Sequence, residues 1–372
     1  MRLTLVISSL AGGGAERVMA RLAGQWVEQM ESVTLITLYP ESHDFVSLDP
    51  RVKRRVVGHT EVRPGAVARF SSAMRRLQRL RREVIASRPD AVVSFMTSTN
   101  ILVLLARSGT RIPVIVSERI DPRYHEVGRT ARLLRRLLYP RAKRVVVQSA
   151  VVEAWAREFL PSERVARIAN PVAAIPAKVG AEQGRGRGER SPMGAHTIVA
   201  MGRLDPQKGF DVLIQAFARL ARTLPGWRLV IAGEGPQRAA LAELARREGV
   251  SDRLELSGWV DSPSELLREA ELFVLSSRFE GFPNALLEAM AHGVPVVATD
   301  CPSGPAEIVR EGVDGYLVPP DDVAALAEGM RRLMLNPEER ARLGRAAAEV
   351  CERFSLERIS SEWNELLETC TR

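Results

Sequence analysis

Short, continuous apolar runs alternate along the chain with longer stretches in which apolar residues recur every three or four positions. The runs Leu3–Ser8, Val33–Leu38, Ala91–Phe95, Val114–Val116 and Val145–Val147 occupy the first half. Ile198–Met201, Arg228–Ala232, Leu254–Ser257, Leu272–Leu275 and Val296–Thr299 occupy the second. Continuity, rather than strict alternation, predicts parallel strands buried on both faces. Helical spacing predicts a helix from the first glycine loop to about Met30, and another over Val67–Ser87 with Phe70, Met74, Leu77, Leu80 and Val84 on one side. Further helices are expected at Thr130–Leu138, at Ala285–His292 and from Asp321 to near Trp363. The pattern lapses over Ala177–Ala195, where Gly-Arg-Gly-Arg-Gly reads as a linker. An α/β chain of two doubly wound parallel-sheet, Rossmann-like domains follows: residues 1–172 and 196–354, joined by 173–195 and followed by a last helical segment, 355–372.

Bulk properties fit two globular domains. The chain has 372 residues, 45% hydrophobic and 26% charged, so it can bury two ordinary cores. It has no apolar run of the ~18 residues that a membrane span requires. The opening Met1–Ser8 is too short for a signal-peptide core. Three cysteines, Cys301, Cys351 and Cys370, without Cys-x-x-Cys spacing, suggest neither a disulfide framework nor a zinc site, so a reducing cytoplasm is expected. Charge is unevenly placed. Residues 1–172 carry 29 Lys and Arg against 15 Asp and Glu, whereas 173–372 carry 24 against 30. Arg69, Arg75, Arg76, Arg79, Arg81 and Arg82 crowd the helix at 67–87, and eight more basic residues lie between Arg123 and Arg144. That surplus is either a solvated face or an interfacial one drawn to anionic lipid. Few aromatics (Trp26, Phe70, Phe95 and Tyr124 among them) accompany it and no recognition motif appears, so a nucleic-acid partner is not expected.

The candidate chemistry lies at the carboxyl ends of the runs, where such sheets bind ligands. Gly12-Gly13-Gly14 follows the first strand, but Arg17 stands at the third glycine position of a dinucleotide fingerprint. Gly202–Gly209 carries Arg203 and Lys208 five residues apart, either solvated or set to grip a diphosphate. Gly233-Glu234-Gly235-Pro236 and Gly258-Trp259 follow the next strands, with Trp259 either core or a stacking platform. Glu280-Gly-Phe-Pro-Asn-Ala-Leu-Leu-Glu288 then feeds a helix that Asn284 can cap. Its N-terminus suits a phosphate, and its two carboxylates are either solvated or sugar ligands. Glu118-Arg119-Ile-Asp121 closes another strand, where Arg119 meets a phosphate or pairs with Asp121. No Asp-x-Asp motif appears, so no metal or other cofactor is demanded.

The Glu280–Glu288 segment through Asp300, together with Gly-Gly-Ala-Glu-Arg, Gly202–Gly209 and Asn170-Pro171, resembles the family 4 glycosyltransferases, retaining enzymes of the GT-B fold. Ser117-Glu118-Arg119-Ile-Asp-Pro resembles the subset that builds bacterial surface polysaccharides and lipid-linked oligosaccharides. The resemblance implies two domains facing a cleft, with the last helix crossing back. It implies transfer of a hexose or N-acetylhexosamine from a nucleotide diphosphate sugar, UDP foremost, to an undecaprenyl-diphosphate-linked saccharide on the inner membrane face. A nucleotide-sugar epimerase of the same architecture is the alternative. Arg203, Lys208 and Glu280 would be catalytic. Gly13, Gly14, Gly233, Trp259, Asn284, Ala285, Leu286 and Glu288 would hold the donor, Glu288 on its ribose. Glu118 and Arg119 would face the acceptor or a phosphate. Arg119 stands nearest to where many members carry a His, and His125 is a nearby substitute.

Overall fold

The computed structural model describes residues 1–58, 66–124, 127–173, 196–260 and 262–371. The chain divides into two compact units: Met1–Pro171 with Leu356–Arg372, and Val172–Ser355. Most of the linker segment and His125 lie outside the described residues.

Unit 1 contains strands β1 (Arg2–Ile7), β2 (Ser32–Thr37), β3 (Lys53–Val56), β4 (Ala91–Phe95), β5 (Val114–Ser117), β6 (Arg144–Val147) and β7 (Val165–Arg167). Its helices are α1 (Gly14–Trp26), α2 (Ala66–Ala86), α3 (Thr97–Ala106), α4 (Arg129–Leu138) and α5 (Ala150–Arg157). The strands form one parallel sheet in the order β3-β2-β1-β4-β5-β6-β7. Alternate residues of β1 explain its two layers. Leu3, Leu5 and Ile7 pack with Val18, Met19 and Leu22 of α1, while Val6 packs with Leu80 and Val84 of α2 and Ile101 and Leu104 of α3.

Unit 2 contains β8 (His196–Met201), β9 (Trp227–Ala232), β10 (Leu254–Gly258), β11 (Leu272–Leu275), β12 (Val296–Thr299) and β13 (Gly315–Val318), a parallel sheet in the order β10-β9-β8-β11-β12-β13. Its helices are α6 (Phe210–Ala221), α7 (Arg238–Arg247), α8 (Pro263–Glu269), α9 (Asn284–Ala291), α10 (Pro305–Ile308), α11 (Val323–Leu335), α12 (Pro337–Ala347) and α13 (Val350–Arg353). The last helix, α14 (Leu356–Thr371), belongs to unit 1.

Hydrophobic patterning missed three of the four edge strands. Lys53–Val56, Val165–Arg167 and Gly315–Val318 are short and lie at sheet margins, and Lys53–Val56 is largely polar. The helical stretch expected from Asp321 consists of four helices and runs on past Trp363 to Thr371. Asn336 ends α11 and its Oδ1 accepts from Glu339 N at 3.0 Å, while Pro337 begins α12 where a missing N–H costs nothing.

Helix α14 closes the α1 face of unit 1. Trp363 is fully buried, edge-on to Trp26 at 6.0 Å and 6.1 Å from the Phe95 ring. Trp26 Nε1 donates to Asn364 Oδ1 at 2.9 Å. Trp363→Ala is therefore expected to destabilise unit 1 by about 3–5 kcal/mol. Urea denaturation followed by circular dichroism checks this, and an unchanged first transition would show that α14 is dispensable to that core.

Candidate functional site

In a doubly wound sheet, the crevice forms where the strand order reverses. In unit 2 that point lies between β8 and β11. The loop after β8 is Gly202–Gly209, and the loop after β11 is Ser276–Pro283. The two loops carry the candidate cations and the first glutamate, and the backbone joins them. Gln207 Nε2 donates to Phe279 O at 2.9 Å, Arg278 N to Gln207 O at 2.8 Å, and Ser276 Oγ to Lys208 O at 2.8 Å. Gly209 has φ +61° and lies so close to Ser276 O that a Cβ would not fit. Gly233, after β9, has φ +145° and meets Gly202 O in the same way. These glycines set how closely the strand-end loops approach.

The two candidate cations differ. Arg203 is exposed, with its side chain at 72%, and its Nε is 2.5 Å from Asp205 Oδ2. Lys208 is not simply solvated: its side chain is 19% exposed, and Nζ donates to Glu280 Oε1 at 2.7 Å. Glu280 is buried, and Ser277 Oγ donates to the same oxygen at 2.6 Å. Thr299 Oγ1 in turn holds Ser277 O at 2.6 Å, and Glu280 N donates to Pro302 O at 3.3 Å. A carboxylate is affordable here because a cation and a hydroxyl solvate it. The Cys301 thiol is buried nearby, and burial, reinforced by the Glu280 charge, pushes it up to about 12. It stays a neutral thiol at physiological pH.

Glu288 is also buried, so the two glutamates are not solvated. It sits in the second turn of α9, whose first turn carries Asn284, Ala285 and Leu286. The expected Asn284 cap is corrected: Pro283 is the N-cap residue and no side chain caps the helix. The first-turn N–H groups thus have no intrahelical acceptor, which is the arrangement that favours an anion. His292 ends the helix with Nδ1 2.7 Å from Glu288 O. Trp259, at 45% exposure, is on the surface rather than in the core.

In unit 1 the strand order reverses between β1 and β4. Gly13 is the N-cap of α1 and Gly14 its first residue. Glu16 folds back over this loop, its carboxylate lying against Gly13. Burial raises its carboxyl above the usual range, while the Ser9 hydroxyl, which donates to it, partly offsets that. A helix terminus already facing a carboxylate suits sugar hydroxyls better than a phosphate. Beyond β5, Glu118 is 1% exposed, held by Thr97 Oγ1 at 2.7 Å and by the Tyr139 hydroxyl. Tyr139 also meets Asn100 Nδ2 at 3.1 Å, and burial, with Glu118, keeps its phenol protonated. These bonds tie Glu118 to α3 and to the segment after α4. Arg119 does not pair with Asp121, which binds Arg123 at 2.6 Å. Its guanidinium stacks on Phe95 at 4.0 Å and donates to Ser117 Oγ and Asn170 Oδ1, and burial brings it down to about 9.

Sequence reading overlooked Ser277, Thr299 and Cys301, although hydroxyls at the ends of β11 and β12 beside the glutamate segment were a visible signal. Among the described residues no group of three or more His, Cys, Asp or Glu is placed to hold a metal.

Two parallel-sheet Rossmann-like units with strand-end loops of this kind define the GT-B class. Residues 13–171 match the model for the glycosyl transferase 4-like domain, and residues 187–350 that for glycosyl transferases group 1. The chain belongs to the family 4-like GT-B glycosyltransferases. Similar folds over nearly the whole chain are the sucrose-phosphate synthase of Thermosynechococcus elongatus (TM-score 0.83, 19% identity, 99% of this chain and 98% of that one) and Anabaena HepE in complex with UDP and glucose (0.79, 20%, 99% and 99%). A Campylobacter jejuni alpha-1,4-N-acetyl-D-galactosaminyltransferase, whose name specifies a saccharide on diphosphate-undecaprenol, is 27% identical over 99% of this chain and 98% of its own. An exopolysaccharide phosphotransferase of Streptomyces coelicolor is 41% identical, over 61% of this chain but only 23% of its own length. A Rhizobium meliloti lipopolysaccharide core glycosyltransferase is 35% identical over 48% and 51%. The chain thus spans less than two thirds of these last two relatives.

The Lys208–Glu280 pair makes a direct prediction. Removing one partner of a buried pair leaves the other uncompensated, at a cost of about 3–5 kcal/mol. Lys208→Ala is expected to destabilise unit 2 on that scale, and Lys208→Met with Glu280→Gln to recover most of the loss. A denaturation double-mutant cycle decides this; additive effects would show that the pair is uncoupled. Ser277→Ala is expected to lower kcat more than KM, because Ser277 positions Glu280; a change confined to KM would contradict that role.

Proposed function

We propose that this protein transfers a hexose or N-acetylhexosamine, with retention of configuration, from a UDP-sugar to a lipid-linked saccharide in bacterial polysaccharide or glycan assembly. The observation that carries this reading is the buried Lys208–Glu280 pair joining the loops of β8 and β11, followed on the same segment by the uncapped α9 N-terminus and the buried Glu288. The fold shared with a UDP- and glucose-bound protein supports the donor, and the full-length Campylobacter relative supports the acceptor.

In this reading the diphosphate lies against the N–H groups of Ala285 and Leu286, the ribose hydroxyls meet Glu288, and the base rests on Trp259 near Gly233. Arg203 reaches the departing diphosphate, and Lys208 shares its charge between Glu280 and the leaving oxygen. Fixed cations at that point supply the electrostatic stabilisation that a metal gives elsewhere. The cellular site would be the inner membrane face; no helix of the described residues is long and apolar enough to cross a membrane.

Glu288→Ala should weaken UDP binding by the roughly 1.5–3 kcal/mol of a charge-assisted hydrogen bond. Glu280→Ala should bind UDP nearly as wild type, because it frees Lys208 for the diphosphate, yet turn over poorly. Calorimetry with UDP tests both, and wild-type affinity in Glu288→Ala would remove the ribose assignment. Turnover is expected to survive EDTA, and Arg203→Ala to reduce kcat on the order of 10²–10³-fold. Activity lost in EDTA and restored by magnesium would overturn the metal-free mechanism. Sugar that stays on the nucleotide in product analysis would indicate an epimerase.

A further inference from the structure

Helix α4 turns Ala131, Leu134 and Leu138 toward the core, and an arginine with them. Its Arg135 points inward, 4% exposed, with the guanidinium 3.9 Å from the buried Glu118 and 4.7 Å from the Trp155 ring centre. Two of the Arg135 nitrogens have no hydrogen-bond partner, so what holds it inward is the Glu118 charge and the Trp155 ring. Outward, the same helix displays Leu133 and Leu137, one turn apart and 59% and 58% exposed. A helix selected for core packing alone would place these residues the other way round. Rotating α4 to bury the leucines would pull Arg135 from Glu118 and Trp155, so the outward apolar pair is fixed.

The surroundings indicate what covers it. Arg129, Arg132, Arg136, Arg141 and Lys143 are all exposed, and no acidic residue occurs from Val127 to Val152. None of the five has a carboxylate partner among the described residues. Helix α3 lies between α4 and α2, and α2 adds exposed Arg75, Arg79 and Arg82 to the same layer. The α2 apolar stripe is mostly turned inward, with Leu80 and Val84 buried, although Met74 and Ile85 of the same helix are 40% and 46% exposed. Two leucines are too small an area for a stable protein interface, which needs roughly 800 Å² per partner. Leucines flanked by unpaired cations match an anionic lipid surface, with the apolar side chains below the headgroups and the guanidinium groups among the phosphates.

We propose that α4 is the membrane-docking element of unit 1, inserting Leu133 and Leu137 into an anionic bilayer surface while Arg129, Arg132 and Arg136 hold lipid phosphates. The proposal deepens the reading of a lipid-linked acceptor but is measured without one. Co-sedimentation uses the full chain with vesicles of phosphatidylcholine and phosphatidylglycerol, and with phosphatidylcholine alone. Wild type should bind the anionic vesicles only, and less as salt rises. Leu133→Gln with Leu137→Gln should lower that binding about tenfold or more. Arg129→Gln with Arg132→Gln and Arg136→Gln should remove its salt-sensitive part, and Arg75→Gln with Arg79→Gln and Arg82→Gln should have the smaller effect. UDP calorimetry on each variant should match wild type, which separates this test from the donor assignment and controls for folding. Wild-type sedimentation by the leucine variant, or equal binding to neutral vesicles, would overturn the proposal. A vesicle-free dimer that the leucine substitutions dissolve would overturn it in favour of a second copy.

Discussion

A single buried charge pair, Lys208 on Glu280, is what the arrangement of unit 2 depends on. A carboxylate only 5% exposed needs polar partners, and its cationic one comes from a different strand-end loop. The loops after β8 and β11 are therefore held in register by chemistry as well as by backbone bonds. The glycines follow from that constraint. Gly209 lets the loops after β8 and β11 come close where Lys208 Nζ reaches Glu280 Oε1, and Gly233 allows the same close approach between the loops after β8 and β9. Ser277 and Thr299 extend the support inward, as a hydroxyl on the carboxylate and a hydroxyl on the carbonyl behind it. A group so held has no freedom to reorganise, which is the property that electrostatic catalysis requires.

Unit 1 distributes its polar groups differently. Glu118, Tyr139, Asn100, Thr97 and Arg135 form a buried network at the strand ends, and Arg119 lies beside it without a carboxylate of its own. The loop after β1 is covered by Glu16 rather than left electropositive. Both features turn the basic surplus of residues 1–172 away from the strand-end interior and onto the outer faces of α2 and α4.

Much of this was legible in the sequence because the physics involved is local. Continuous apolar runs mark buried parallel strands wherever both faces are covered, and so ten strands could be placed. Lys53–Val56 could not, because a polar edge strand has the composition of a loop. The break at Asn336-Pro337 was visible as cap chemistry but was masked by helical spacing on either side. Among the site residues, the positions of Arg203, Lys208, Glu280 and Glu288 on strand-end loops and one helix followed from spacing. Their relations did not. The pairing of Lys208 with Glu280, the burial of Arg119 over Phe95, and the inward turn of Arg135 to Glu118 and Trp155 are contacts between separate segments of the chain, and no local pattern encodes them.

The central claim is that the loops of β8 and β11 and the start of α9 form the donor site. A crystal structure of the chain with UDP tests it most directly. The account places the diphosphate on the N–H groups of Ala285 and Leu286, the ribose hydroxyls on Glu288, and Lys208 Nζ within reach of both Glu280 and a phosphate oxygen. UDP bound elsewhere, or bound with Glu288 more than hydrogen-bond distance from the ribose and Lys208 turned away from the phosphates, would contradict it.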